Sequence, residues 1–163
     1  MKRLLALAFV MFAGSAAPAH ALLCTAIIGC TCNVVASDIV FDNLNPLSGQ
    51  QNASGMVNVE CTNVIDVAPS VVVRINDGTW GTMAPRKMRN GAGDTLDYNI
   101  YTTNQYNVVW GDLTGGASNI TISGGLLSIG HWTASREMFG RVSPTIATKP
   151  GDYSDTVVVQ IIW

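Results

Sequence analysis

Apolar and polar residues alternate along most of this chain with a period of two. Val35, Ser37, Ile39 and Phe41 begin the pattern. Val57, Val59 and Cys61 face one way, while Asn58 and Glu60 face the other. Val71, Val73 and Ile75 interleave with Val72 and Arg74; Leu96, Tyr98 and Ile100 interleave with Asp97, Asn99 and Tyr101. Ile120 and Ile122 sit in a Ser/Thr/Asn-rich stretch, Met138 to Val142 forms a short run, and Val157, Val159, Ile161 and Trp163 close the sequence. Successive side chains of a strand point to opposite faces, so each run predicts a strand, and no run has helical spacing. Turn formers separate the runs, among them Asn45-Pro46, Asn76-Asp77-Gly78, Asn90-Gly91 and Lys149-Pro150-Gly151. About seven short strands punctuated in this way predict a single all-β sandwich.

The last run differs from the others. Val157 to Trp163 is apolar on both faces, as a strand with neighbours on each side would be. No further strand follows to cover an edge, and an open edge invites pairing with another chain. The pattern therefore predicts an incomplete sheet and an assembling protein.

Charge changes the picture. Only 12% of the 163 residues are charged and 48% are hydrophobic, against about 25% charged in an ordinary soluble domain. That raises the question of a membrane protein. Lys2 and Arg3, the apolar run Leu4 to Ala13 and the small residues of Ala19-His20-Ala21 read instead as a secretory signal over residues 1–21. The run is too short to cross about 30 Å of hydrocarbon. Leu23 precedes Cys24 where a lipoprotein needs a small residue. Removal of 1–21 leaves seven basic and eleven acidic residues, a net charge of −4. No later stretch spans a membrane, and no basic stripe suits nucleic acid.

Cys24, Cys30, Cys32 and Cys61 all follow the signal. An even count in a secreted chain predicts disulfides. A Cys30–Cys32 bridge is the most strained of the choices. One long bridge, Cys32–Cys61 or Cys30–Cys61, is therefore expected, closing a loop of about 30 residues worth roughly 3–4 kcal/mol. Cys30-Thr31-Cys32 has the wrong spacing for a zinc site.

Several motifs together resemble the spore coat protein U domain family, which includes subunits of archaic chaperone–usher pili. They are Cys32 with Gly55-Met56-Val57-Asn58-Val59-Glu60-Cys61-Thr62, Arg86 to Met88, Leu96-Asp97-Tyr98-Asn99-Ile100-Tyr101, Trp110-Gly111-Asp112, Gly140-Arg141-Val142, and the ending Gly151-Asp152-Tyr153-Ser154-Asp155-Thr156-Val157-Val158-Val159. The similarity runs from about Cys32 to Trp163. Phe41-Asp42-Asn43-Leu44 keeps the family's Phe but lacks its Gly and Tyr, and Cys24 and Cys30 are additional to the family's cysteine pair, which Cys32 and Cys61 match. The resemblance implies an immunoglobulin-like sandwich, missing its final strand, over residues 32–163. It also implies the partners: a periplasmic chaperone that lends a strand, an outer-membrane usher, and neighbouring pilus subunits whose N-terminal extension replaces the chaperone's strand. Val157, Val159, Ile161 and Trp163 would then meet subunit or chaperone. The product would be a secreted fimbria at the cell surface, supporting adhesion and biofilm formation. A tip adhesin or terminal subunit, or a secreted coat component that does not form pili, is the alternative.

Residues 22–31 form the N-terminal segment. Leu22, Cys24, Ala26 and Ile28 alternate, so Leu22, Ala26 and Ile28 are candidate donor-strand residues. A Cys24–Cys30 bridge would bring Cα atoms within about 7 Å, whereas six extended steps span roughly 20 Å. A bridged segment cannot also be an extended donor, which would suit a terminal subunit.

No catalytic residue, cofactor or metal is expected, and the protein reads as a non-enzyme. His131 beside Trp132 reads as a surface pair, and no nucleophile elbow supports a triad with Ser135 or Ser154. Asp152 and Asp155 are expected in turn hydrogen bonds rather than as paired catalytic carboxylates. Arg86, Lys87 and Arg89 read as a solvated basic loop. At least two of Trp80, Trp110 and Trp132 are expected to be buried.

Overall fold

In the computed structural model, which describes residues 29–66, 69–124 and 128–162, eight strands build two antiparallel sheets. They are β1 (Thr31–Ala36), β2 (Gln51–Asp66), β3 (Ser70–Ile75), β4 (Arg86–Arg89), β5 (Thr95–Tyr101), β6 (Ile120–Ser123), β7 (Ser128–Val142) and β8 (Val159–Ile162). One sheet has the order β1-β2-β7-β5-β4 and the other β6-β3-β8. The expectations for Leu22, Cys24, Ala26, Ile28 and Trp163 lie outside the described residues.

The alternating apolar positions form the core between the sheets. Val57, Val59 and Cys61 of β2, Val71, Val73 and Ile75 of β3, and Leu96, Tyr98 and Ile100 of β5 are all buried. Each such side chain contributes about 1.5–3 kcal/mol of transfer free energy. Trp110 and Trp132 are buried as well, with the Trp110 indole donating to the Val73 carbonyl at 3.1 Å, while Trp80 stays exposed. Cys32 lies directly across from Cys61 in the β1–β2 register, and the two form a disulfide with Cα atoms 4.1 Å apart. Of the two long bridges the sequence left open, this is the one formed; Cys30 is also disulfide-bonded.

The order β1-β2-β7-β5 is that of strands A, B, E and D of an immunoglobulin sandwich, and β3-β8 that of strands C and F. In such a sandwich strand G lies beside F. Among the described residues, no strand pairs with β8 on the side away from β3.

Three expectations shift. The first strand spans 31–36 rather than beginning at Val35, and Val35 itself is exposed. Ser37 ends the ladder: its amide donates to the Met56 carbonyl, while its hydroxyl accepts the Met56 amide at 2.8 Å. Ile39 and Phe41 then follow in a separate extended stretch that packs on the core. The short run at Met138–Val142 is the end of a 15-residue strand. Arg86 is fully buried rather than solvated.

Candidate functional site: an open groove beside the last strand

Leaving β1, the chain crosses over the inner face of β2 and β7. Two glycines let it approach. A Cβ on Gly140 would lie 2.6 Å from Ile39 Cγ2 and 2.9 Å from Phe41 Cζ; one on Gly55 would lie 3.0 Å from Ile39 Cγ1. Residues 37–44 therefore form one wall, with Ile39, Phe41 and Leu44 turned towards the core. The opposite wall is the stretch leading into β8, with Tyr153, Val157 and Val159 turned inward. Between them lies a groove of about 1130 Å³, floored by Met88, Tyr98, Ile100 and Met138. That exceeds the ~300–1,000 Å³ typical of small-molecule sites.

The second wall is held at three points. Ser154 exchanges backbone hydrogen bonds with Arg89 at the edge of β4, at 2.9 and 3.1 Å. The Asn76 amide donates to the Val158 carbonyl, and the Val158 amide donates to Asn76 Oδ1 at 2.7 Å. Asp155 accepts from the Tyr98 hydroxyl at 2.7 Å, the Thr79 amide at 2.9 Å and the Thr156 amide at 2.8 Å. The stretch thus leaves the β4 edge and joins β3, closing one corner of the sandwich while leaving the groove open. The turn hydrogen bonding expected of Asp155 is present.

Val157, Val159 and Ile161 are half-buried against the core, whereas Val158, Gln160 and Ile162 are exposed. The three inward residues named from the sequence therefore do lie together; Val157 and Val159 line the groove and Ile161 continues their row. The opposite wall and the floor were not identified from the sequence. Ile39 was visible there only as a strand residue, and Phe41 as a strand residue and as the Phe of the family's motif; nothing in a period-two pattern says that a strand has left its sheet.

Electrostatics are concentrated beneath this groove. Burial lowers the Arg86 pKa, while the nearby Tyr98 hydroxyl and the carboxylates of Asp77, Asp155 and Asp112 oppose that shift. Its guanidinium donates to the Asn76 carbonyl (2.9 Å), Asn99 Oδ1 (2.6 Å), and the Ile75 (3.3 Å) and Trp110 (2.9 Å) carbonyls. Burial, then the hydrogen bond and charge of Asp155, push the Tyr98 hydroxyl well above its ordinary value. The remaining candidates are surface features. His131 Nε2 meets Glu60 Oε1 at 2.8 Å on an exposed face, Lys87 pairs with Asp97, and the Arg89 guanidinium lies 4.8 Å from the centre of the Trp80 ring.

The model of the Spore Coat Protein U domain family matches residues 19–160, which include both walls and the floor. No curated protein matches the sequence. One chain in the crystal structure of the CsuC–CsuE chaperone–tip adhesion subunit pre-assembly complex, from the archaic chaperone–usher Csu pili of Acinetobacter baumannii, is similar in fold. The TM-score is 0.55 at 21% sequence identity, over 82% of this chain and 40% of that one. This chain thus corresponds to well under half the length of its solved neighbour.

Proposed function

Because the chain belongs to the spore coat protein U domain family, we propose that it is a secreted structural subunit of a chaperone–usher pilus that accepts a complementing strand in the open groove. The groove beside the unpaired edge of β8 carries this reading. A strand entering it would hydrogen-bond to β8, and its alternate apolar side chains would cover Phe41, Met88, Ile100 and Val157. This is β-augmentation, in which the main chain supplies affinity and the side-chain pockets supply selectivity. A periplasmic chaperone would supply the first strand and a neighbouring subunit the lasting one, with an outer-membrane usher between. The protein would act at the cell surface, in adhesion and biofilm formation, without catalysis. A signal over residues 1–21 and a domain over 32–163 fit that route.

Cys30 favours a terminal position in the fibre. It is disulfide-bonded, and a bridge in residues 22–31 restrains the segment that would have to extend as a donor.

The test is co-expression with a chaperone and usher of this pilus class. The unaltered chain should purify with the chaperone and enter surface fibres. Val159→Asp, which puts a carboxylate in the groove wall, should lose at least about tenfold of the chaperone-bound yield. A Val159→Asp chain that is captured as well as the unaltered one would sink the reading. Deleting residues 22–29 separates positions: a terminal subunit still enters fibres, and a shaft subunit does not polymerise.

A further inference from the structure

We propose that the strand accepted by this groove carries lysine or arginine beside its apolar residues, and comes from another protein rather than from a second copy of this chain. The inference rests on the acceptor reading above and adds the chemistry of the partner. Both walls are acidic. Asp38 and Asp42 lie on the 37–44 wall, Asp152 and Asp155 on the wall before β8, and Lys149 is the one basic residue among the described lining. The Asp155 carboxylate is already held by the Tyr98 hydroxyl and by the Thr79 and Thr156 amides. Asp38, Asp42 and Asp152 are exposed. The described ion pairs join Lys87 to Asp97 and His131 to Glu60, so none of these three aspartates has a cationic partner among the described residues.

An incoming strand places its own side chains between those two walls. A neutral strand leaves three like charges without a counterion along the two rims of the groove it fills. A cation at its flank offsets them. The N-terminal segment of this chain has no cationic side chain to offer. Leu22 to Cys30 contains neither lysine nor arginine, and neither occurs between Arg3 and Arg74. Any N-terminal donor from a second copy would carry a single cation, the α-ammonium at its tip, and no basic side chain along its length, and past Ala36 it would add Asp38 to the groove. The acidic rim thus biases the groove towards a heterologous basic strand.

Two synthetic peptides test this on the full chain. Each copies residues 22–30 with alanine in place of the two cysteines; one carries two lysines at each end and the other two serines. Binding is read by fluorescence anisotropy at low and high salt. The lysine peptide should bind about tenfold more tightly at low ionic strength, where charges reach ~10 Å or more, and lose most of that advantage at high salt. The triple change Asp38→Asn, Asp42→Asn, Asp152→Asn should remove the advantage while leaving the serine peptide unaffected. Equal affinity of the two peptides, which would make a second copy an adequate partner, overturns the proposal. So does an advantage that survives the triple change. Failure of both peptides to bind overturns the acceptor reading itself, and this proposal with it.

Discussion

Arg86 and Tyr98 show how single residues set up the groove from below. Arg86 stands on β4 in one sheet, and its guanidinium reaches backbone carbonyls at the end of β3 in the other. Among the described residues no carboxylate accepts from it directly; carbonyl and amide oxygens do the work. Burying a cation without an anion is tolerable only because its N–H groups find acceptors. That is why a basic triplet, read as a solvated loop, contains a fully buried member: sequence shows charge, and only the fold shows three carbonyls converging on it. Tyr98 does the complementary job, holding Asp155 and hence the second wall. Its raised pKa has a definite sign in stability. Above about pH 10, its ordinary value, an unfolded tyrosine ionises. In the folded chain burial and Asp155 hold the Tyr98 proton past that pH. The stabilisation is therefore complete below that pH, and is lost as pH rises through it towards the folded value. Replacing Tyr98 with Phe removes the hydrogen bond to Asp155 and should cost about 1 kcal/mol at neutral pH. It should also flatten the decline in urea midpoint above pH 10.0. Parallel alkaline slopes for the two proteins would show that Tyr98 titrates freely.

At the scale of elements, legibility follows from which face carries the signal. β2, β3 and β5 were readable because their apolar residues alternate, one face meeting the core and the other being more open, except at Asn99 of β5, which is buried. β7 was readable only at its end. Its inward positions before Met138 are Gly130, Trp132, Ala134 and Arg136, of which only Trp132 is large and buried, so half of a 15-residue strand has a single apolar anchor rather than a stripe. What fixes it is β2, paired with it from Gln51↔Val142 to Asp66↔Ser128 apart from one irregularity between Thr62 and Val64. The chain after β1 hid for the opposite reason. Ile39 and Phe41 have strand spacing but lie over glycines of two neighbouring strands rather than in a ladder. The open final edge was legible because Val157 to Trp163 is apolar on both faces; the wall opposite was not, since it forms only where Gly55 and Gly140 make room. Gly140→Ala tests that point. The added methyl would press on Ile39 and Phe41 from beneath, costing about 1–3 kcal/mol by overpacking. It should also weaken binding of a complementing peptide, because the wall it displaces lines the groove. Denaturation and peptide titration of the same variant measure both effects. A variant as stable as the parent, with unchanged peptide affinity, would mean that the wall is not seated on those glycines.

The whole molecule combines a well-paired sheet with an unfinished one. The low charge content fits the strand-accepting role proposed above: apolar surface lies open in the groove and at exposed Val158 and Ile162 beside and within β8. Local stability should follow this division, since protection from exchange tracks local pairing and burial. β2 and β7 lie in the interior of a five-stranded sheet and are paired on both sides for part of their length. β8 has four residues and a single described neighbour. In the free chain, amides of residues 157–162 should exchange orders of magnitude faster than those of residues 57–61. A bound donor peptide gives the free edge of β8 its missing partners and covers the inward valines. Exchange at 157–162 should then slow by about a hundredfold or more, while residues 57–61, already protected, change little. Mass spectrometry of deuterium uptake, with and without peptide, measures both segments in one experiment. Uniform protection along the free chain would contradict an unfinished sheet. Slowing confined to residues 57–61 would place the bound strand somewhere other than beside β8.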